Sequence, residues 1–113
     1  MVISRKVELN YYEQGDTLWI HLDADSAAQE AITEYDFYVR YNRDNPSEIV
    51  GFKVLDFSHF VSHMDEEGVL PQLPMSFDAP ELFLKSANLR ELLDKAYSEF
   101  VLSRKQAPRK VAL

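Results

Sequence analysis

The stretch Val7-Glu8-Leu9-Asn10-Tyr11-Tyr12-Glu13-Gln14-Gly15-Asp16-Thr17-Leu18-Trp19-Ile20-His21-Leu22 holds two alternating runs separated by a turn signal. Val7, Leu9 and Tyr11 alternate with Glu8, Asn10 and Tyr12; after the turn, Leu18, Ile20 and Leu22 alternate with Thr17, Trp19 and His21. A period of two sends successive side chains to opposite faces of a strand, so each run has one apolar face. Between them Glu13 to Asp16 reads as a hairpin turn in which Gly15 can adopt positive φ. Pairing Tyr12 with Thr17 sets Tyr11 against Leu18, Leu9 against Ile20 and Val7 against Leu22. A slip of one residue would turn one apolar set to solvent, which specifies the register.

Working outward, Asp23 to Gln29 is small and polar and reads as a loop. A third alternation from about Ile32 to Tyr41 carries Tyr35, Phe37, Val39 and Tyr41 on one face and Asp36, Tyr38 and Arg40 on the other. Asn42 to Glu48 is a polar hairpin loop, and Val50, Phe52 and Val54 form the inward set of a fourth strand, with Tyr41 opposite Val50. The expected product is a four-stranded antiparallel β-meander over residues 6–58 with one apolar face. That face needs a cover. Leu89, Leu92, Leu93, Ala96, Tyr97 and Phe100 recur at helical spacing, and Asn88 with Glu91 has the form of a capping box, which predicts an amphipathic helix over 87–103. Residues 59–86 are expected to wrap the domain, with a short helix near Ser58 to Met64 and little regular structure around Pro71, Pro74 and Pro80. The fold class is α+β, in one domain over 1–103, followed by a basic flexible tail over 104–113.

Composition agrees with one folded unit. The chain has 113 residues, 46% hydrophobic, 12% aromatic and 27% charged, which suits a single core and argues against disorder. It has no cysteine, which removes disulfides and thiolate chemistry. No apolar run suits a signal peptide after Arg5 and Lys6, and none is long enough to span a bilayer, so a cytoplasmic location is expected. The net charge of −7 is unevenly spread. Four of the twelve Lys and Arg lie in the last ten residues, leaving eight bases against nineteen acids over 1–103, a charge of −11. Such a body repels phosphates and anionic lipid, so neither nucleic acid nor membrane is an expected partner.

The run Val7 to Leu22, together with Val39-Arg40-Tyr41 and Val50-Gly51-Phe52-Lys53-Val54-Leu55, resembles a family of small bacterial proteins known as domain of unknown function 2283. The resemblance covers residues 6–58. In that family a tyrosine-containing strand leads through a turn and an aspartate into a second strand. A valine-rich strand ending in tyrosine then precedes one patterned Val-Gly-Ile-x-Ile-Leu. The longer Asn42 to Glu48 loop, with Pro46, departs from the family's short glycine turn. The resemblance implies the β core and no catalytic residue. It implies, at most, an antitoxin-like role with a protein partner.

No cofactor motif is present: glycines at 15, 51 and 68 make no phosphate loop, and no Gly-x-Ser-x-Gly elbow occurs. Asp23 and Asp25 open like a calcium loop with Glu34 twelfth, but Ala27 and Ala28 replace a ligand and the obligatory glycine. Asp56, His59 and His63 have workable metal-ligand spacing if 56–64 is helical, and make a small metal-dependent enzyme the alternative function. The plainer reading is a pair of surface histidines near a helix start capped by Asp56 or Ser58. Tyr12, Trp19, His21 and Tyr38 point away from the inferred core. Outward aromatics concentrate energy at interfaces, so the leading expectation is a non-catalytic protein–protein interaction module, homodimeric, using this surface. Against it stands a cover supplied by residues 65–85 of the same chain.

Overall fold

Val7 is the corner at which the chain passes between two sheets. The computed structural model describes residues 3–22, 28–32 and 37–103. Strand β1 (Ile3–Lys6) belongs to one sheet and β2 (Glu8–Tyr12) to the other, while Val7 is buried between them and donates its N–H to the Asp78 carbonyl at 2.9 Å. The chain continues through β3 (Thr17–His21), β4 (Ala28–Ile32), β5 (Phe37–Asn42) and β6 (Asn45–Val54). Helix α1 (Phe57–Phe60) runs into a 3-10 turn at Val61–His63. Then come β7 (Met75–Ala79), a 3-10 turn at Pro80–Leu82, β8 (Leu84–Ala87) and α2 (Leu89–Tyr97), which widens into a π turn at Ser98–Leu102.

The described residues form an α+β fold with two sheets and two helices. The larger sheet has the order β2-β3-β6-β5-β4, all antiparallel, and the smaller has β1-β7-β8, with β1 and β7 parallel. The first hairpin keeps the expected register: Tyr12 faces Thr17, Tyr11 faces Leu18 and Leu9 faces Ile20. The strand order differs from a four-stranded meander. A hairpin, β2–β3, joins a separate meander, β4–β5–β6, through β3 and β6, where Leu18 meets Val54 and Ile20 meets Phe52. Apolar residues match across that long-range pairing as they do across the local one, and it puts the last strand of the set at the centre.

Four further expectations are corrected. The run read as one strand from Ile32 takes in parts of two: β4 starts at Ala28, within the expected Asp23–Gln29 loop, ends at Ile32 and pairs with β5, which starts at Phe37; Tyr35 falls outside the described residues. The Asn42–Glu48 loop contracts to a turn at Arg43 and Asp44, since β6 already begins at Asn45. Phe37 faces Val54 and Val39 faces Phe52 as the apolar match requires, but a bulge then sets Tyr41 against Ile49 rather than Val50. The proline-containing segment is also more regular than expected. Its prolines bracket Met75–Ala79 without interrupting it, and Pro80 opens a 3-10 turn where no backbone N–H is required.

One core joins the sheets and helices. Phe52 packs against Phe37 at a ring separation of 5.6 Å and edge-on against Phe77 of the smaller sheet at 6.0 Å; Phe60 of α1 stacks on Phe37 at 5.5 Å. Helix α2 starts at the predicted capping box. Asn88 Oδ1 accepts the Glu91 N–H at 2.8 Å, and the Glu91 carboxylate accepts the Asn88 N–H at 3.1 Å. It buries Leu89, Leu92, Leu93 and Ala96, mostly beside β7, β8 and the turn after α1. The larger sheet meets its continuation, where Phe100 stacks on Tyr11 at 6.0 Å. Residues 104–113, the expected tail, lie outside the described residues. Among the described residues no helix is long and apolar enough to cross a membrane.

Candidate functional site

Alternation along β3, β5 and β6 turns Leu18, Ile20, Phe37, Phe52 and Val54 inward and leaves Trp19, His21, Tyr38, Arg40 and Lys53 on the outer face of the larger sheet. The register aligns them in rows. Asn10, Trp19, Lys53 and Tyr38 lie side by side in one, and Glu8, His21, Gly51, Arg40 and Glu30 in the next. Gly51 lets β3 approach closely, since a Cβ there would lie 2.5 Å from the Ile20 carbonyl oxygen.

Trp19 lies beside two cations from the neighbouring strands. The Arg40 guanidinium lies 5.1 Å and the Lys53 ammonium 5.2 Å from its ring centroid, and Lys53 also sits 4.5 Å from the Tyr38 ring. Glu30 gathers both cations, with one oxygen 2.9 Å from Lys53 Nζ and the other 3.3 Å from Arg40 Nε. The second contact is an ion pair without hydrogen-bond alignment, so Arg40 Nε is buried and unsatisfied among the described residues. The His21 ring lies parallel to Trp19 at 6.0 Å, with Nδ1 likewise unsatisfied. Burial lowers the His21 pKa, the positive Arg40 lowers it further, and Glu8 opposes them. Of the residues expected at an interface, Trp19, His21 and Tyr38 are half-buried within this cluster, while Tyr12 lies 57% exposed at the end of β2. The sequence pointed to the aromatics. It did not reveal Arg40, Lys53 and Glu30 as their companions, because those come from three strands whose order is not local.

The Asp56, His59 and His63 triad is not assembled; among the described residues no three His, Asp or Glu side chains are grouped to hold a metal. Asp56 precedes α1 in the left-handed region at φ 51°, outside the helical phase that would align it with the histidines. The two imidazoles do meet, with Nε2 atoms 3.0 Å apart, and Glu66 contacts Nδ1 of His63. Neither Asp56 nor Ser58 caps α1 with its side chain. Asp16 does so from the first hairpin turn: its carbonyl accepts the Phe57 N–H at 2.9 Å and its carboxylate the Ser58 N–H at 3.0 Å. Asp16 also accepts the Tyr11 hydroxyl at 2.5 Å. Burial and this carboxylate push the Tyr11 pKa up to about 12.

A further surface feature carried no sequence signal. Phe83 is 94% exposed and adopts φ 56°, following the Pro80–Leu82 turn. Residues 65–85 thus hold, among the described residues, a highly exposed aromatic instead of serving only as a cover.

The chain matches no protein-family model, and no curated protein or solved structure is significantly similar to it.

Proposed function

We propose that the protein is a non-catalytic protein–protein interaction module that pairs with a second copy of itself through the outer face of the larger sheet. The observation that carries this reading is Trp19, half-exposed and in cation–π contact with Arg40 and Lys53, the latter also lying over Tyr38. Trp, Tyr and Arg are the side chains most often responsible for binding energy at interfaces. Here their rotamers are restrained by cation–π and ion-pair contacts, which lowers the ordering cost of association. The face also carries both signs of charge, Glu8 and Glu30 with Arg40 and Lys53. A two-fold pairing can set the acids of one copy against the bases of the other, which eases the repulsion between two acidic bodies.

The residue patterns shared with domain of unknown function 2283 accompany this reading, as does an antitoxin-like role in which the same face meets a different protein. A chain without cysteine suits a reducing, cytoplasmic setting.

Light scattering over a concentration series tests the proposal. A rise from monomer to dimer mass is expected, with Trp19→Ala and Lys53→Glu each weakening association at least ~10-fold, as loss of an interface anchor does. A strictly monomeric protein at the highest concentration, or dimers indifferent to both substitutions, removes it.

A further inference from the structure

We propose that His59 and His63 form a two-imidazole clamp for a divalent transition-metal ion, with Glu66 as the positioning residue behind His63. The clamp lies on the α1 segment, apart from the sheet face and independent of its proposed role.

The two Nε2 atoms converge to 3.0 Å, and the rings meet edge to face with centroids 4.6 Å apart. This follows from chain geometry, because residues four apart share one face across the passage from α1 into the Val61–His63 turn. A carboxylate only accepts hydrogen bonds, so the contact with Glu66 places a proton on His63 Nδ1. With that proton on Nδ1, the neutral form of the ring has its lone pair on Nε2, facing His59. The 3.0 Å contact is a hydrogen bond when His59 carries its proton on Nε2. A cation at the same place is received when the His59 proton sits instead on Nδ1, leaving two Nε2 lone pairs directed at one point. A carboxylate fixing the far nitrogen of a ligand imidazole is the usual support of histidine metal sites, since it sets the tautomer and raises ligand basicity. Imidazole donors select copper, nickel and zinc over magnesium and calcium. Water or a partner's side chain completes the coordination.

Asp56 has no part in this clamp, and Glu66, absent from a reading by helical spacing, does. Contact with Glu66 requires the chain to turn after Met64, which the Glu66 N–H achieves by donating to the His63 carbonyl at 2.9 Å.

Titration of the full chain with Zn2+ by isothermal calorimetry at pH 7.5 is the test, with circular dichroism verifying the fold of each variant. One ion per chain is expected. His59→Ala and His63→Ala should each abolish measurable binding, and Glu66→Gln should weaken it about 10- to 100-fold. Asp56→Ala, which removes the nearby carboxylate that makes no side-chain cap bond, should leave it unchanged. Binding that survives in the His59→Ala, His63→Ala double variant, or absence of binding by the unaltered chain, overturns the clamp. Glu66→Gln binding like the parent overturns the positioning role.

Discussion

The carboxylate of Asp16 receives both the backbone N–H of Ser58, at 3.0 Å, and its hydroxyl, at 2.9 Å, across forty-two residues of sequence. A turn between two strands thereby supplies the cap of a helix whose own N-cap residue, Asp56, makes no side-chain cap bond. Asp16 itself has φ 50°, a left-handed backbone that these contacts hold in place.

Asp16→Ala removes this cap and leaves the Tyr11 hydroxyl without its acceptor, so a loss of about 1–3 kcal/mol is expected in urea unfolding. Asp16→Asn retains an acceptor oxygen and should cost less. A loss below about 0.5 kcal/mol for the alanine variant would show that the cap contributes little.

Tyr11 should make stability fall at alkaline pH. Its folded pKa, about 12, lies above the usual 10.0, so the folded state holds the phenolic proton more tightly than the unfolded chain does. The associated stability is complete below pH 10 and is lost as pH rises toward 12. Spectrophotometric titration at 295 nm should show a late-titrating tyrosine that is lost in Tyr11→Phe, and that variant should have a flatter stability profile over the same window. Coincident titration of all tyrosines near 10 would contradict the assignment.

Gly51→Ala introduces a Cβ 2.5 Å from the Ile20 carbonyl oxygen, which belongs to the backbone of a central pairing. Relief requires β3 and β6 to separate, at a cost of about 1–3 kcal/mol, the range for overpacking. Thermal unfolding measures it. An unchanged midpoint would mean that the strands part freely.

Phe83→Gly should stabilise the protein by up to about 1 kcal/mol. A left-handed conformation costs a side-chain-bearing residue roughly 1–2 kcal/mol, partly offset by the greater unfolded-state freedom of glycine, and a ring that is 94% exposed forfeits almost no burial. Clear destabilisation in denaturant would reveal packing by Phe83 that the structure does not record.

Residues whose placement depends on near neighbours were legible in advance. The register of Leu9 with Ile20, the capping box of Asn88 and Glu91, and the inward stripe of α2 all follow from periods of two or 3.6 and from side chains that reach one turn away. The outward aromatics were legible on the same basis, as complements of an inward set. Strand β4 was not, because Ala28-Gln29-Glu30-Ala31-Ile32 has weak alternation and becomes a strand by pairing along β5.

By itself, then, the sequence determined which face of each strong strand is apolar, where α2 begins, and which aromatics are turned from the core. Tertiary structure alone decided that β6 lies between β3 and β5, that Arg40, Lys53 and Glu30 assemble around Trp19, and that Asp16 rather than Asp56 caps α1. Apolar periodicity is a local property, readable over a few residues. Strand order and long-range caps are choices among several pairings of similar apolar content, resolved only when one core must satisfy them all at once.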